Sequence, residues 1–145
     1  QNIGIVFQDP DAQLFSPTLE DEIAFGPENL CVSANEIGDK IDSSLALVNM
    51  SKFRYANPNT LSGGQKQLAA TAAVLALEPD FLIFDEALSQ LDEVSAELVL
   101  SRVRTLKEAG KGILMVEHDE EKPFVADRVY RLKNGGLEIV KHYQS

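Results

Sequence analysis

Residues Phe81 to Phe84 form a short, wholly apolar run that ends abruptly in the acidic pair Asp85-Glu86. A run without polar alternation reads as a strand of a parallel sheet buried on both faces. Parallel neighbours need crossover connections, usually helical, so the chain must alternate strands with helices. The acidic pair then falls at the carboxyl end of a sheet strand, where open α/β sheets bind ligands. Asp85 could hold Mg2+, directly or through water, and Glu86 could orient or deprotonate an attacking water. A solvated pair capping a strand would look the same in isolation.

The rest of the chain fits that alternation. Ile3 to Phe7 reads as a buried strand ending at Gln8, and Ile113 to Val116 as another, ending at Glu117-His118-Asp119. Val129 to Leu132 and Leu137 to Val140 read as a hairpin across Asn134-Gly135-Gly136. Between the first two strands the pattern turns helical. Thr18, with Asp21 three residues on, caps a short helix expected to end near Phe25-Gly26-Pro27. Ser33 with Glu36 is a capping box ahead of the helical face Ile37, Ile41, Leu45, Val48. Asn57-Pro58-Asn59 breaks the chain. Ser62 with Gln65 is a second capping box, opening an Ala-rich helix to about Leu77. Ala96, Val99, Leu100, Val103 and Leu106 mark the last helix, stopped at Ala109-Gly110.

The second box carries chemistry of its own. In Leu61-Ser62-Gly63-Gly64-Gln65 the two glycines leave backbone N–H groups bare at a helix start. The Ser62 hydroxyl and the helix dipole add to a surface suited to phosphate. An ordinary capped helix would show the same residues. His118 shares the sheet edge expected for Asp85 and Glu86, and Gln8 can reach both metal and water there.

Composition narrows the function. Of 145 residues 44% are hydrophobic, enough for one ordinary core, and the net charge of −10 argues against a phosphate-tracking surface for nucleic acid. Cys31 is the sole cysteine, so no intrachain disulfide is possible and a zinc site is disfavoured. No apolar run is long enough to span a membrane.

Taken together, Gln8, Leu61 to Gln65, Asp85-Glu86, Ser89 to Asp92 and His118 resemble, in order, the Q-loop, signature, Walker B motif, D-loop and H-loop of the ABC ATPases. The intervals are 54 residues from Gln8 to Ser62, 23 to Asp85 and 33 to His118. The stretch Val6 to Phe15, followed by Ala24-Phe25-Gly26-Pro27, is similar to the ATPase subunits of energy-coupling-factor importers, which take up vitamins or metal ions such as cobalt and nickel.

The resemblance implies an α/β fold, part of a P-loop NTPase (ABC-type) core with a parallel sheet and a helical signature subdomain. Residues 1–8 would be a core strand leading to the Q-loop, 9–78 the helical subdomain, and 79–145 the C-terminal part of the core. It implies ATP and Mg2+ as cofactors, with Asp85 and Gln8 serving Mg2+. Glu86, His118 and Gln8 would be catalytic, Glu86 activating water and His118 steadying the γ-phosphate. Ser62, Gly63, Gly64 and Gln65 would bind ATP held by a second subunit, with Ser89 and Asp92 in the D-loop at that interface. The partners would be a second ABC ATPase subunit, identical or different, and membrane transport subunits reached through the Q-loop region. The location would be peripheral, at the cytoplasmic face of the cell membrane.

Departures from the family pattern are Ala87 for the usual Pro, Leu68 for an Arg, and Gln90 where the D-loop has Gly or Ala. No G-x-x-x-x-G-K-[ST] occurs. In the family this Walker A loop precedes the Q-loop, so the chain is expected to be a C-terminal fragment, inactive alone. The family's strand order also implies that Ile113 to Val116 pairs with Phe81 to Phe84. Its other side would face the place of the phosphate-loop strand, with Val129 to Leu132 beyond. The isolated chain would then collapse across that gap, borrow a strand from another copy, or receive the missing segment as a separate piece. Two other readings stay open: a non-transport ABC ATPase, and a truncated binding module without ATPase activity.

Overall fold

The computed structural model describes residues 2–118 and 126–142. Strand β1 (Ile3–Val6) leads through a single 3-10 turn at Pro10–Ala12 into three helices, α1 (Leu19–Asn29), α2 (Ala34–Leu47) and α3 (Gly63–Leu75). Strand β2 (Phe81–Asp85), helix α4 (Glu93–Glu108) and strand β3 (Gly112–Val116) follow, then β4 (Arg128–Lys133) and β5 (Gly136–His142). The first three strands form a parallel sheet in the order β1-β2-β3, with Val6 beside Phe84 and Phe84 beside Met115. β4 and β5 form a separate antiparallel hairpin.

The helices begin where their caps stand. The Thr18 hydroxyl accepts the Asp21 N–H, and the Ser33 N–H and hydroxyl both donate to Glu36. The Ser62 hydroxyl accepts the Gln65 N–H while the Gln65 amide oxygen accepts the Ser62 N–H. Helix α1 corrects the expected stop at Gly26-Pro27, running two residues further to Asn29 with Pro27 inside it. Packing outweighs propensity here. Pro27 is fully buried, and Gly26 lies so close to Leu77 that an added Cβ would stand 2.6 Å from its Cδ2.

One core joins Val6, Leu82 and Phe84 of the sheet to Leu19 and Ile23 of α1, Ile41 and Leu45 of α2, Leu68 to Val74 of α3 and Val99 to Val103 of α4. The alanines of α3 let it approach β1 closely. A Cβ on Gly4 would lie 2.5 Å from Val74 Cγ1. Burying a side chain such as Phe84 contributes about 1.5–3 kcal/mol.

Register places Gly4, Val6, Leu82, Phe84, Ile113 and Met115 on this core face. The alternate residues Ile3, Ile5, Phe81, Leu114 and Val116 are exposed. Among the described residues the strands read as buried on both faces are covered on one face only, because the core helices described all pack against the same side. β3 pairs with β2 as expected. Among the described residues its other edge pairs with nothing, and β4 does not collapse onto it but pairs with β5.

Candidate active site

The carboxyl ends of the three parallel strands bring together residues 8, 86 and 118. Gln8 lies two residues beyond β1, Glu86 one beyond β2 and His118 two beyond β3. At Glu86 the backbone turns to a φ of +51°, a left-handed conformation costly for a side chain of this size. The turn keeps the Glu86 N–H on the ladder, donating to the Val116 carbonyl at 2.9 Å. It also presents the Glu86 carbonyl to Ser89, whose hydroxyl donates to it at 2.7 Å and whose N–H donates at 3.1 Å.

The Glu86 carboxylate is held at both oxygens. Gln8 Nε2 donates to Oε2 at 2.6 Å, and His118 Nε2 lies 2.6 Å from Oε1. Its side chain is 16% exposed, whereas that of His118 is 85% exposed. Asp85 stands at the exposed end of β2, in register with Val116. Glu117 accepts the Leu88 N–H at 3.4 Å, bracing the turn after the acidic pair. Asp119 lies outside the described residues.

The donor chemistry of this set fits Mg2+. Gln8 gives its amide N–H to Glu86, which leaves its amide oxygen as one hard donor, and the exposed Asp85 carboxylate at the end of β2 supplies another. Among the described residues no cluster of three or more His, Cys, Asp or Glu could hold a metal. Two hard oxygen donors suit Mg2+, which keeps waters and shares its coordination with substrate phosphates.

A second cluster surrounds the N-terminus of α3. Gly63 and Gly64 follow the Ser62 cap and face the loop before α4. Added Cβ atoms there would meet Gln90 Oε1 at 3.2 Å and the Gln90 carbonyl at 3.6 Å. The Ser62 hydroxyl accepts from Gln65, so its own proton is available to an anion. Asp92 caps α4 by accepting the Ser95 N–H at 2.7 Å. Its carboxyl is held below the usual range by the backbone and side-chain hydrogen bonds of Ser95. A groove of about 900 Å3 opens beside this cluster, lined by Phe53, Ser62, Gly64, Gln65, Asp92 and Glu93 among others.

The structure thus joins Gln8, Glu86 and His118 directly, and sets Gly63 and Gly64 against Gln90 and Leu91. What the residue pattern did not single out is how the β1 exit is gripped. Gln13 donates to the Ile5 carbonyl at 3.0 Å and accepts the Phe7 N–H at 3.2 Å. Gln67 donates to the Phe7 carbonyl at 2.9 Å, and Gln90 to the Gln8 carbonyl at 3.2 Å. Gln67 is fully buried, and its Oε1 has no hydrogen-bond partner among the described residues. A glutamine on the apolar face of an Ala-rich helix was the available signal.

The likenesses to known proteins follow this geometry. A family model described as ABC transporter matches residues 1–89. The energy-coupling factor transporter ATP-binding protein EcfA of Methanosarcina acetivorans is 47% identical over 135 residues, covering 93% of this chain and 49% of that protein. EcfA of Syntrophomonas wolfei is 40% identical over 141 residues, covering 97% of this chain and 52% of that protein. The chain spans about half the length of these curated relatives. Among solved structures, cbiO1 from Clostridium perfringens, part of the ABC transporter complex cbiONQ, superposes with a TM-score of 0.82 at 35% identity over 94% of this chain and 55% of that one. An ATP-binding cassette solved as a dimer in a post-hydrolysis state, bound to ADP and Pi, gives a TM-score of 0.84 at 26% identity, covering 99% of this chain and 65% of that one. The fold is accordingly the α/β P-loop NTPase core of ABC type, and the chain belongs to the ABC transporter family.

Proposed function

We propose that this chain is the C-terminal part of an ATP-hydrolysing ABC ATPase of the energy-coupling-factor type, powering import of a metal ion or vitamin. The observation that carries the reading is the Glu86 carboxylate, held between Gln8 and His118 at the carboxyl edge of a parallel sheet. In this reading Glu86 takes a proton from the attacking water once one of its two partners yields an oxygen. Gln8 orients that water, and His118 steadies the γ-phosphate. Asp85 and the Gln8 amide oxygen would hold Mg2+, which when bound neutralises charge on the phosphate oxygens. Ser62, Gly63 and Gly64 would face the γ-phosphate of ATP carried by a second ATPase subunit, identical or different.

The 145 residues contain no G-x-x-x-x-G-K-[ST], so the chain by itself would lack the main β- and γ-phosphate donors and would not turn over ATP. Membrane transport subunits would dock on the segment after Gln8. There Phe15 and Phe25 stack edge to face at 5.0 Å on the surface, and Glu22 accepts the N–H groups of Phe15 and Ser16 at 2.9 and 2.7 Å. That docking would put the protein at the cytoplasmic face of the membrane, and no helix among the described residues is long and apolar enough to cross it. A non-transport ABC ATPase of the DNA-repair kind is disfavoured. The 54 residues from Gln8 to Ser62 are filled by α1, α2 and short turns, without a long coiled coil.

The test is Glu86→Gln in the complete protein. A shape-conserving change that removes the base should lower kcat by ~10²–10⁴-fold and leave ATP binding within a few fold. Turnover near the parent's rate would remove Glu86 from this role.

A further inference from the structure

We propose that Gln90 is a positioning residue that makes the Gln8 end of the sheet and the glycine end of α3 behave as one unit. The inference rests on the reading of the site given under Proposed function. The carbonyls of Phe7 and Gln8 are consecutive, and each is taken by a side-chain amide from a different segment. Gln67 of α3 holds the first at 2.9 Å and Gln90 of the loop before α4 holds the second at 3.2 Å. Gln8 is the residue whose side chain reaches Glu86 at 2.6 Å. Fixing its carbonyl fixes the peptide plane from which that side chain projects.

The other end of the same amide lies against the signature helix. Gln90 Oε1 stands 3.2 Å from where a Cβ on Gly63 would lie, close enough that the amide would have to give way by a few tenths of an ångström. One side chain therefore spans from the edge that would hold metal and water to the N–H groups that would face a second subunit's nucleotide. α3 has its own fastenings to this stretch, through Gln67 and through the Lys66 ion pair with Asp11. Gln90 is the fastening that reaches Gln8 itself. The small residue usual at this position in ABC ATPases has no group able to bridge the same span.

Gln90 is exposed, so replacing it leaves the core intact. The test uses the complete protein in four forms: parent, Gln90→Ala, Gly63→Ala and the double variant. Each is measured for melting temperature and for kcat and KM with ATP·Mg. Gln90→Ala should lower kcat roughly 2- to 10-fold, the scale of one hydrogen bond, with KM within about twofold. Gln90→Met, which keeps length but loses the donor without adding charge, should match it. Gly63→Ala should harm the parent more than it harms the Gln90→Ala background, in both kcat and melting temperature. Additive effects in both measurements, or an unchanged kcat for Gln90→Ala in an active parent, would overturn the proposal. If the parent does not hydrolyse ATP, the functional reading fails, and the melting temperatures alone decide the link: non-additive shifts keep it, additive shifts remove it.

Discussion

Glu86 carries two burdens at one position. Its φ of +51° costs about 1–3 kcal/mol for a residue of this kind, and the surrounding contacts hold it there. Those contacts are the Val116 carbonyl, Ser89, Gln8 and His118. The acidic pair itself was legible from its place after four apolar residues. The left-handed backbone was not, because it follows from strands brought together from positions far apart in the chain. Gly4 shows a similar limit. It reads as an unremarkable residue in an apolar run, yet it faces Val74 Cγ1 and Pro79 Cγ, at 2.5 and 3.0 Å from an added Cβ. Gly4→Ala should therefore destabilise the protein by about 1–3 kcal/mol, the usual range for overpacking. Chemical denaturation of the variant against the parent checks this, and an unchanged midpoint would contradict the close approach of α3 to β1.

Elements were most legible where a local side chain starts them. Thr18, Ser33 and Ser62 were read as caps and each precedes a helix that begins at the next residue; Asp92, read only as a D-loop residue, caps α4 in the same way. Stops were harder to read, as α1 shows by continuing through Pro27. Two of these caps make stability depend on acid. Asp92 is held below the ordinary carboxylate range chiefly by the backbone N–H of Ser95, and Glu36 chiefly by the Ser33 side chain. A depressed folded value means the contribution is fully present above the unfolded value, ~3.9 for Asp, and fades as pH falls through the folded one. Asp92→Asn keeps an acceptor at the cap without the charge. Its difference in melting temperature from the parent should be constant at pH 5 to 7, then shrink as acid protonates Asp92. Melting curves across that range check the sign, and a difference that grows toward low pH would contradict it.

At the scale of the whole molecule, the pairing of β3 with β2 was foreseen, and so was the hairpin of β4 and β5. The exposure of one sheet face among the described residues was not, since an apolar run looks the same whether one or both faces are covered. Ile3, Ile5, Phe81, Leu114 and Val116 stand on that uncovered side. The described chain places Gln8, Glu86 and His118 without any Walker A loop, so the 145 residues alone should bind ATP·Mg very weakly. Each charge-assisted hydrogen bond contributes ~1.5–3 kcal/mol, and several are missing. Calorimetry at millimolar nucleotide checks this, and a micromolar dissociation constant would sink it. The contact among those three side chains has another use. Each stands one or two residues past the end of its own strand, so a slip of one position in any strand would turn its residue away. The triad is thus a gauge of alignment: a chain that forms it has matched three distant segments to the residue, and a chain mispaired during refolding would be detectable by its loss.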